Sequence, residues 1–132
     1  MSTVRCVGGL VHDTGGRLLL IRRGHAPSAG LWSVPGGRVE DGESDAAAVV
    51  REVAEETGLT VRAGAFVGTV LRGKYEIFDY ACALTGGTLT PGDDAADARW
   101  VDAAGFAALD EAGELVPLLT ETLAGWDVLP RG

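Results

Sequence analysis

Glu52, Glu55 and Glu56 stand at i, i+3 and i+4 of a segment that reads as one helix, which sets three carboxylates side by side on one face. Like charges one turn apart cost a helix roughly 0.2 to 0.5 kcal/mol per pair, so stability alone would favour a Lys or Arg among them. A divalent cation removes that repulsion. An all-oxygen donor set on a rigid element suits Mg2+ or Mn2+ rather than zinc, which prefers His and Cys. The ordinary alternative for clustered glutamates is a solvated helix face, and the residues ahead of the helix weigh against it.

The helix is marked at both ends. Ser44 serves as N-cap, Asp45 falls in the first turn near the positive end of the dipole, and Gly58 follows Thr57 where a left-handed stop is expected. Ala46, Val49, Val50 and Val53 recur at helical spacing and are expected to face a core, leaving the three acids on the opposite, wet side. Arg51 can reach back toward Glu43. Around this helix, Val4 to Val11 and Arg17 to Arg22 read as a strand hairpin turning at Asp13-Thr14-Gly15-Gly16. The stretch from Gly24 to Gly30 reads as a loop, and Trp32 to Val34 as a short extended piece. Val61 to Leu71 and Tyr75 to Leu84 form two further strands joined at Gly73-Lys74, and Arg99 to Val101 a last short one. Helices are expected from Asp102, as cap, through Leu109 and from Leu115 to Leu123, with Pro117 in the first turn of the latter.

The run from Gly37 through Glu43 and Arg51-Glu52-Val53-Ala54-Glu55-Glu56-Thr57-Gly58-Leu59 resembles the signature box of the Nudix hydrolases at every defined position. The resemblance extends upstream through Arg22-Arg23-Gly24 and Pro27-Ser28-Ala29-Gly30-Leu31-Trp32-Ser33-Val34-Pro35-Gly36-Gly37, and thins after about residue 62. It implies an α/β fold, the Nudix-type α/β/α sandwich with a mixed sheet, which the mixture of strands and helices suggests independently. It also implies hydrolysis of a diphosphate linkage, with Mg2+ or Mn2+ held by Glu52, Glu55, Glu56 and the Gly36 carbonyl.

Cutting a P–O–P bond requires neutralising charge on the phosphoryl oxygens and activating a water in line with the leaving group. Glu52 is the candidate for both ligand and water-activating base. In relatives the base sometimes lies on a later loop, where Asp93, Asp94 and Asp97 are the candidates here. Glu43 and Arg51 are expected to form an orienting ion pair. Arg22 and Arg23, closing the hairpin, are candidates for bidentate contact with phosphate, with solvated strand-end arginines as the alternative. Trp32, Phe66, Tyr75 and Phe78 offer aromatic surface for a base or ribose, although aromatics more often fill cores.

With 132 residues, 46% hydrophobic and 23% charged, the chain has the size and composition of one globular domain, 1–132. The net charge of −8 argues against a nucleic-acid polymer as partner, since such proteins carry a basic footprint, but not against a small nucleotide. No stretch approaches the roughly 18 apolar residues of a membrane span, and Cys6 and Cys82 form neither a zinc spacing nor a disulfide framework. A reduced, cytoplasmic protein, monomer or homodimer, is expected. The pattern most resembles the short ADP-ribose pyrophosphatase-like members, so ADP-ribose to AMP and ribose 5-phosphate is the first expectation. The alternatives are a house-cleaning, MutT-like (d)NTP pyrophosphohydrolase and a non-catalytic ADP-ribose-binding sensor. The chain has no Asn and no Gln, which excludes an oxidised-guanine reader that depends on a side-chain amide; an Asp can still read a base.

Overall fold

A computed structural model describes residues 2–26, 28–92 and 95–132. In chain order the elements are β1 (Val4–Val11), β2 (Leu18–Arg23), β3 (Trp32–Ser33), β4 (Gly36–Arg38), α1 (Asp45–Thr57), β5 (Leu59–Arg72), β6 (Tyr75–Gly87), β7 (Ala95–Val101), α2 (Ala103–Glu111) and α3 (Leu119–Gly125). They build a four-stranded sheet in the order β4-β1-β6-β5 and a three-stranded sheet in the order β3-β2-β7. The larger sheet is mixed, because β1 runs parallel to β6 while its other pairings are antiparallel.

The layers follow from the alternation along β1 and β2. Val7, Val11 and Leu19 pack with Ala48, Val49 and Val53 of α1 and with Leu59 and Val61 of β5. Leu10, Leu18 and Leu20 point the other way and join Phe106 of α2 and Leu119 and Leu123 of α3. Strands buried on both faces need helices on both sides, and the result is an α/β/α sandwich.

The helix that carries the acids is fixed locally. Ser44 Oγ accepts from the Ala47 N–H at 3.1 Å, and Gly58 ends the helix at φ 73°. Its buried face differs in phase from the expected one: Ala48, Val49 and Val53 are buried and Val50 partly so, whereas Ala46 is exposed. Asp45 serves more than the helix dipole, since Arg5 Nη2 donates to it at 2.7 Å and the Tyr80 hydroxyl also bonds it. Together these contacts pin the start of α1 to β1 and β6.

Other differences are matters of pairing. Pro35-Gly36-Gly37 has the residue types of a turn, but Gly36–Arg38 is an extended strand in antiparallel register with Cys6, Val7 and Gly8. The last strand is longer than Arg99 to Val101, because β7 lies along the whole of β2. The final helix starts later than Leu115. That residue bridges to Trp32, and the Val116 N–H donates to the Trp32 carbonyl at 3.0 Å. No described helix is long and apolar enough to cross a membrane.

Candidate active site

The junction of α1 with β4 defines the site. Glu52 and Glu56, one turn apart on α1, both reach toward the Gly36-Gly37 backbone. The Gly36 N–H donates to Glu56 Oε1 at 2.8 Å, and a Cβ at Gly37 would stand 2.5 Å from the Glu52 carboxylate. A side chain at 37 would therefore displace the end of Glu52 from its place against β4. The three acids are not equally wet, contrary to expectation: Glu56 is buried at 6% exposure, while the side chains of Glu52 and Glu55 are 15% and 55% exposed. Glu56 sinks because the N–H of the strand beneath it supplies a hydrogen bond.

Arg51 organises this surface. Its guanidinium donates to both oxygens of Glu43, at 2.7 and 2.9 Å, to Glu52 Oε1 at 2.8 Å, and to the Arg38 carbonyl at 3.0 Å. Glu55 Oε2 lies 3.3 Å from the same side chain. Arg51 thus ties the segment before α1 to the helix and fixes the orientation of Glu52. The guanidinium, aided by the Glu40 N–H, holds the Glu43 carboxyl at a pKa of about 2. Arg51 is in turn raised above its ordinary value, chiefly by its bond to Glu43.

Glu52 and Glu56 open onto a cavity of about 500 Å³. Gly36, Gly37 and Arg38 line it at the acidic end, and Arg23, His25 and Ser28 line it as well. In kind, the donors fit a hard divalent cation: two carboxylates one turn apart, beside a backbone kept clear of side chains by glycine. Glu55 is turned onto Arg51, and among the described residues no three His, Cys, Asp or Glu side chains converge on one point.

The remaining candidates divide. Arg23 lines the cavity, whereas Arg22 is exposed, pairs with Trp32 across the sheet, and is not among the lining residues. Trp32 is 4% exposed and packs in the core with Leu18 and Phe106 under the Arg99 guanidinium, 4.8 Å from its ring, so it presents no face to the cavity. Asp97 accepts from the Ala98 N–H at 2.8 Å and from Arg99 Nε at 3.1 Å, also off the cavity wall. Asp93 and Asp94 lie outside the described residues.

Arg72 at the end of β5 and Asp79 inside β6 also line the cavity, and neither stood out as a site residue in the sequence. Asp79 is 5% exposed, its Oδ1 has no hydrogen-bond partner, and burial lifts its pKa to about 7 against the opposing charge of Arg72. The available signal was an acid flanked on both sides by aliphatic and aromatic residues within β6, Ile77-Phe78-Asp79-Tyr80-Ala81.

Known proteins resemble this chain in sequence and fold. The chain is 36% identical over 102 residues to the ADP-ribose pyrophosphatase of Methanocaldococcus jannaschii, covering 73% of this chain and 60% of that protein. It is 38% identical over 88 residues to a putative 8-oxo-dGTP diphosphatase of Bacillus subtilis, covering 64% and 57% respectively. The alignments therefore span about 60% of these curated relatives. In fold, the chain superposes on a NUDIX hydrolase from Nitrosomonas europaea with a TM-score of 0.79 at 22% identity, over 98% of this chain and 93% of that one. The NUDIX domain model matches residues 2–122, and the chain belongs to that family.

Proposed function

We propose that this chain is a Mg2+- or Mn2+-dependent pyrophosphohydrolase that cuts the diphosphate linkage of a nucleoside diphosphate joined to another moiety, with ADP-ribose as the first candidate. The observation that carries this reading is the convergence of Glu52 and Glu56 on the Gly36-Gly37 backbone at the acidic end of a cavity of about 500 Å³. Glu52, Glu56 and the Gly36 carbonyl would hold the ion, with Glu55 joining from the helix rim. When bound, the cation neutralises phosphoryl charge and makes water a better nucleophile.

The rest is the work of the chain. Glu52 accepts the proton of the attacking water, and Arg51 keeps its carboxylate in place through the 2.8 Å bond. Glu43, locked in its ionised form, holds Arg51 by both oxygens. Arg23, on the cavity wall, is the residue that contacts a phosphate oxygen of the substrate. Ile21, Val34 and Ile77 line the interior and keep bulk water from the linkage.

The relative named for ADP-ribose pyrophosphatase activity supports the first substrate. The Bacillus subtilis relative named for 8-oxo-dGTP supports a second reading, a (d)NTP pyrophosphohydrolase. A panel of ADP-ribose, other nucleoside diphosphate sugars, dinucleoside polyphosphates and (d)NTPs with Mg2+ separates them by product. AMP and ribose 5-phosphate are expected from ADP-ribose, whereas pyrophosphate from an NTP favours the second. Inorganic phosphate as the primary product overturns both.

A further inference from the structure

Asp79 lines the interior of the cavity with one carboxyl oxygen, Oδ1, buried and without a partner. Such an orphan pays its desolvation without a compensating bond, so an aliphatic residue there would be better for stability alone. The neighbouring strand is cut back to admit it, because a Cβ at Gly8 would collide with Oδ1. Arg72, half-buried on β5, lines the same cavity. Its charge acts on Asp79, yet among the described residues the two form no ion pair and no hydrogen bond. The cavity thus presents an acceptor and a donor group, both unspent on each other. Much of the remaining lining is aliphatic, with Ile21, Val34, Ile77, Leu119 and Leu123 beside Tyr75 and Thr122. Apolar walls with a few converging polar groups suit the flat faces and hydrogen-bonding edge of a heteroaromatic ring; a sugar would need more polar partners.

We propose that Asp79 is the base-reading residue of this cavity, its orphan oxygen accepting an N–H from the edge of the substrate's nucleobase while Arg72 donates to a neighbouring ring nitrogen or carbonyl. This rests on taking the cavity as the nucleotide site. It also supplies a specificity residue that needs no Asn or Gln, both of which the chain lacks. A site built to bond a base N–H discriminates strongly, because a base without that group leaves the buried oxygen unpaired.

The test measures metal-free binding of AMP, GMP, IMP, CMP and UMP by calorimetry, together with kcat/KM for the corresponding substrates. The proteins compared are wild type, Asp79→Leu, Asp79→Asn and Arg72→Met. Wild type should discriminate among bases. Asp79→Leu, which keeps bulk and removes the acceptor, should weaken the favoured base by about tenfold or more and leave the poorest unchanged. Asp79→Asn can turn its amide oxygen to the base and should lose less. Arg72→Met should weaken the same base. Base ratios unchanged in Asp79→Leu, an equal loss on every base, or no monophosphate binding by wild type would each overturn the proposal. Intact hydrolysis with unchanged base ratios refutes base reading alone. Base-selective binding that responds to Asp79→Leu in a protein without turnover sustains base reading and refutes the hydrolase assignment.

Discussion

Replacing Asp79 by Asn should stabilise the protein, and by an amount that grows with pH. Burial raises the Asp79 carboxyl from an ordinary 3.8 to about 7, with Arg72 only partly opposing the shift. In the unfolded chain the same group titrates near 3.8, so the native state binds the extra proton between those two values and stability falls as pH rises through them. The contribution is fully present below the unfolded value and lost above about pH 7. At about 1.4 kcal/mol per pH unit, the gap corresponds to an upper bound of ~4 kcal/mol, or on the order of 10 °C in Tm for a domain of this size. Asn is neutral throughout and escapes this loss. Urea unfolding of both proteins from pH 4 to 9 therefore should give a stability difference that rises in favour of Asn between about pH 4 and 7 and is level above. General acid effects cancel in the difference. Arg72→Met should push the rise to still higher pH, because it removes the opposing charge. A difference that stays flat across the range would mean that Asp79 is solvated as an ordinary carboxylate and that its orphan oxygen has no energetic consequence.

Gly37→Ala should cut kcat sharply while leaving the Tm nearly unchanged, since the new methyl would stand 2.5 Å from the Glu52 carboxylate and force it away; normal kinetics would show that Glu52 need not lie against β4. Arg23→Ala should raise KM or lower kcat/KM with little effect on stability, and Arg22→Ala should be silent, because only Arg23 lines the cavity; equal effects from both would contradict that placement. Val53→Ala, at 0% exposure between α1 and the sheet, should cost about 2 kcal/mol in chemical denaturation.

What the sequence disclosed was local. Acid spacing, the Ser44 cap and the Gly58 stop depend on residues within one helix, and all three stand in the fold. The burial of Glu56 was not legible, because its partner is the N–H of a strand twenty residues away in sequence. The pairing of β4 with β1 was hidden for the same reason: Pro35-Gly36-Gly37 carries turn chemistry, and only the register with Cys6, Val7 and Gly8 makes it a strand. Arg22 and Arg23 are indistinguishable by type; the end of β2 exposes one and directs the other to the cavity. Trp32 followed the commoner fate of an aromatic and joined the core. Asp79 has no neighbour in sequence that marks it, and its meaning comes from Gly8 and Arg72 on adjoining strands.

The central claim is that Glu52 and Glu56 hold the divalent ion that hydrolysis requires. Mn2+ binding followed by electron paramagnetic resonance, paired with Mg2+-dependent turnover, tests it in wild type, Glu52→Gln and Glu56→Gln. Both variants should fold, bind Mn2+ more weakly, and lose about two or more orders of magnitude in kcat, the scale on which lost charge stabilisation appears. Near wild-type turnover at saturating Mg2+ in either variant would contradict the assignment.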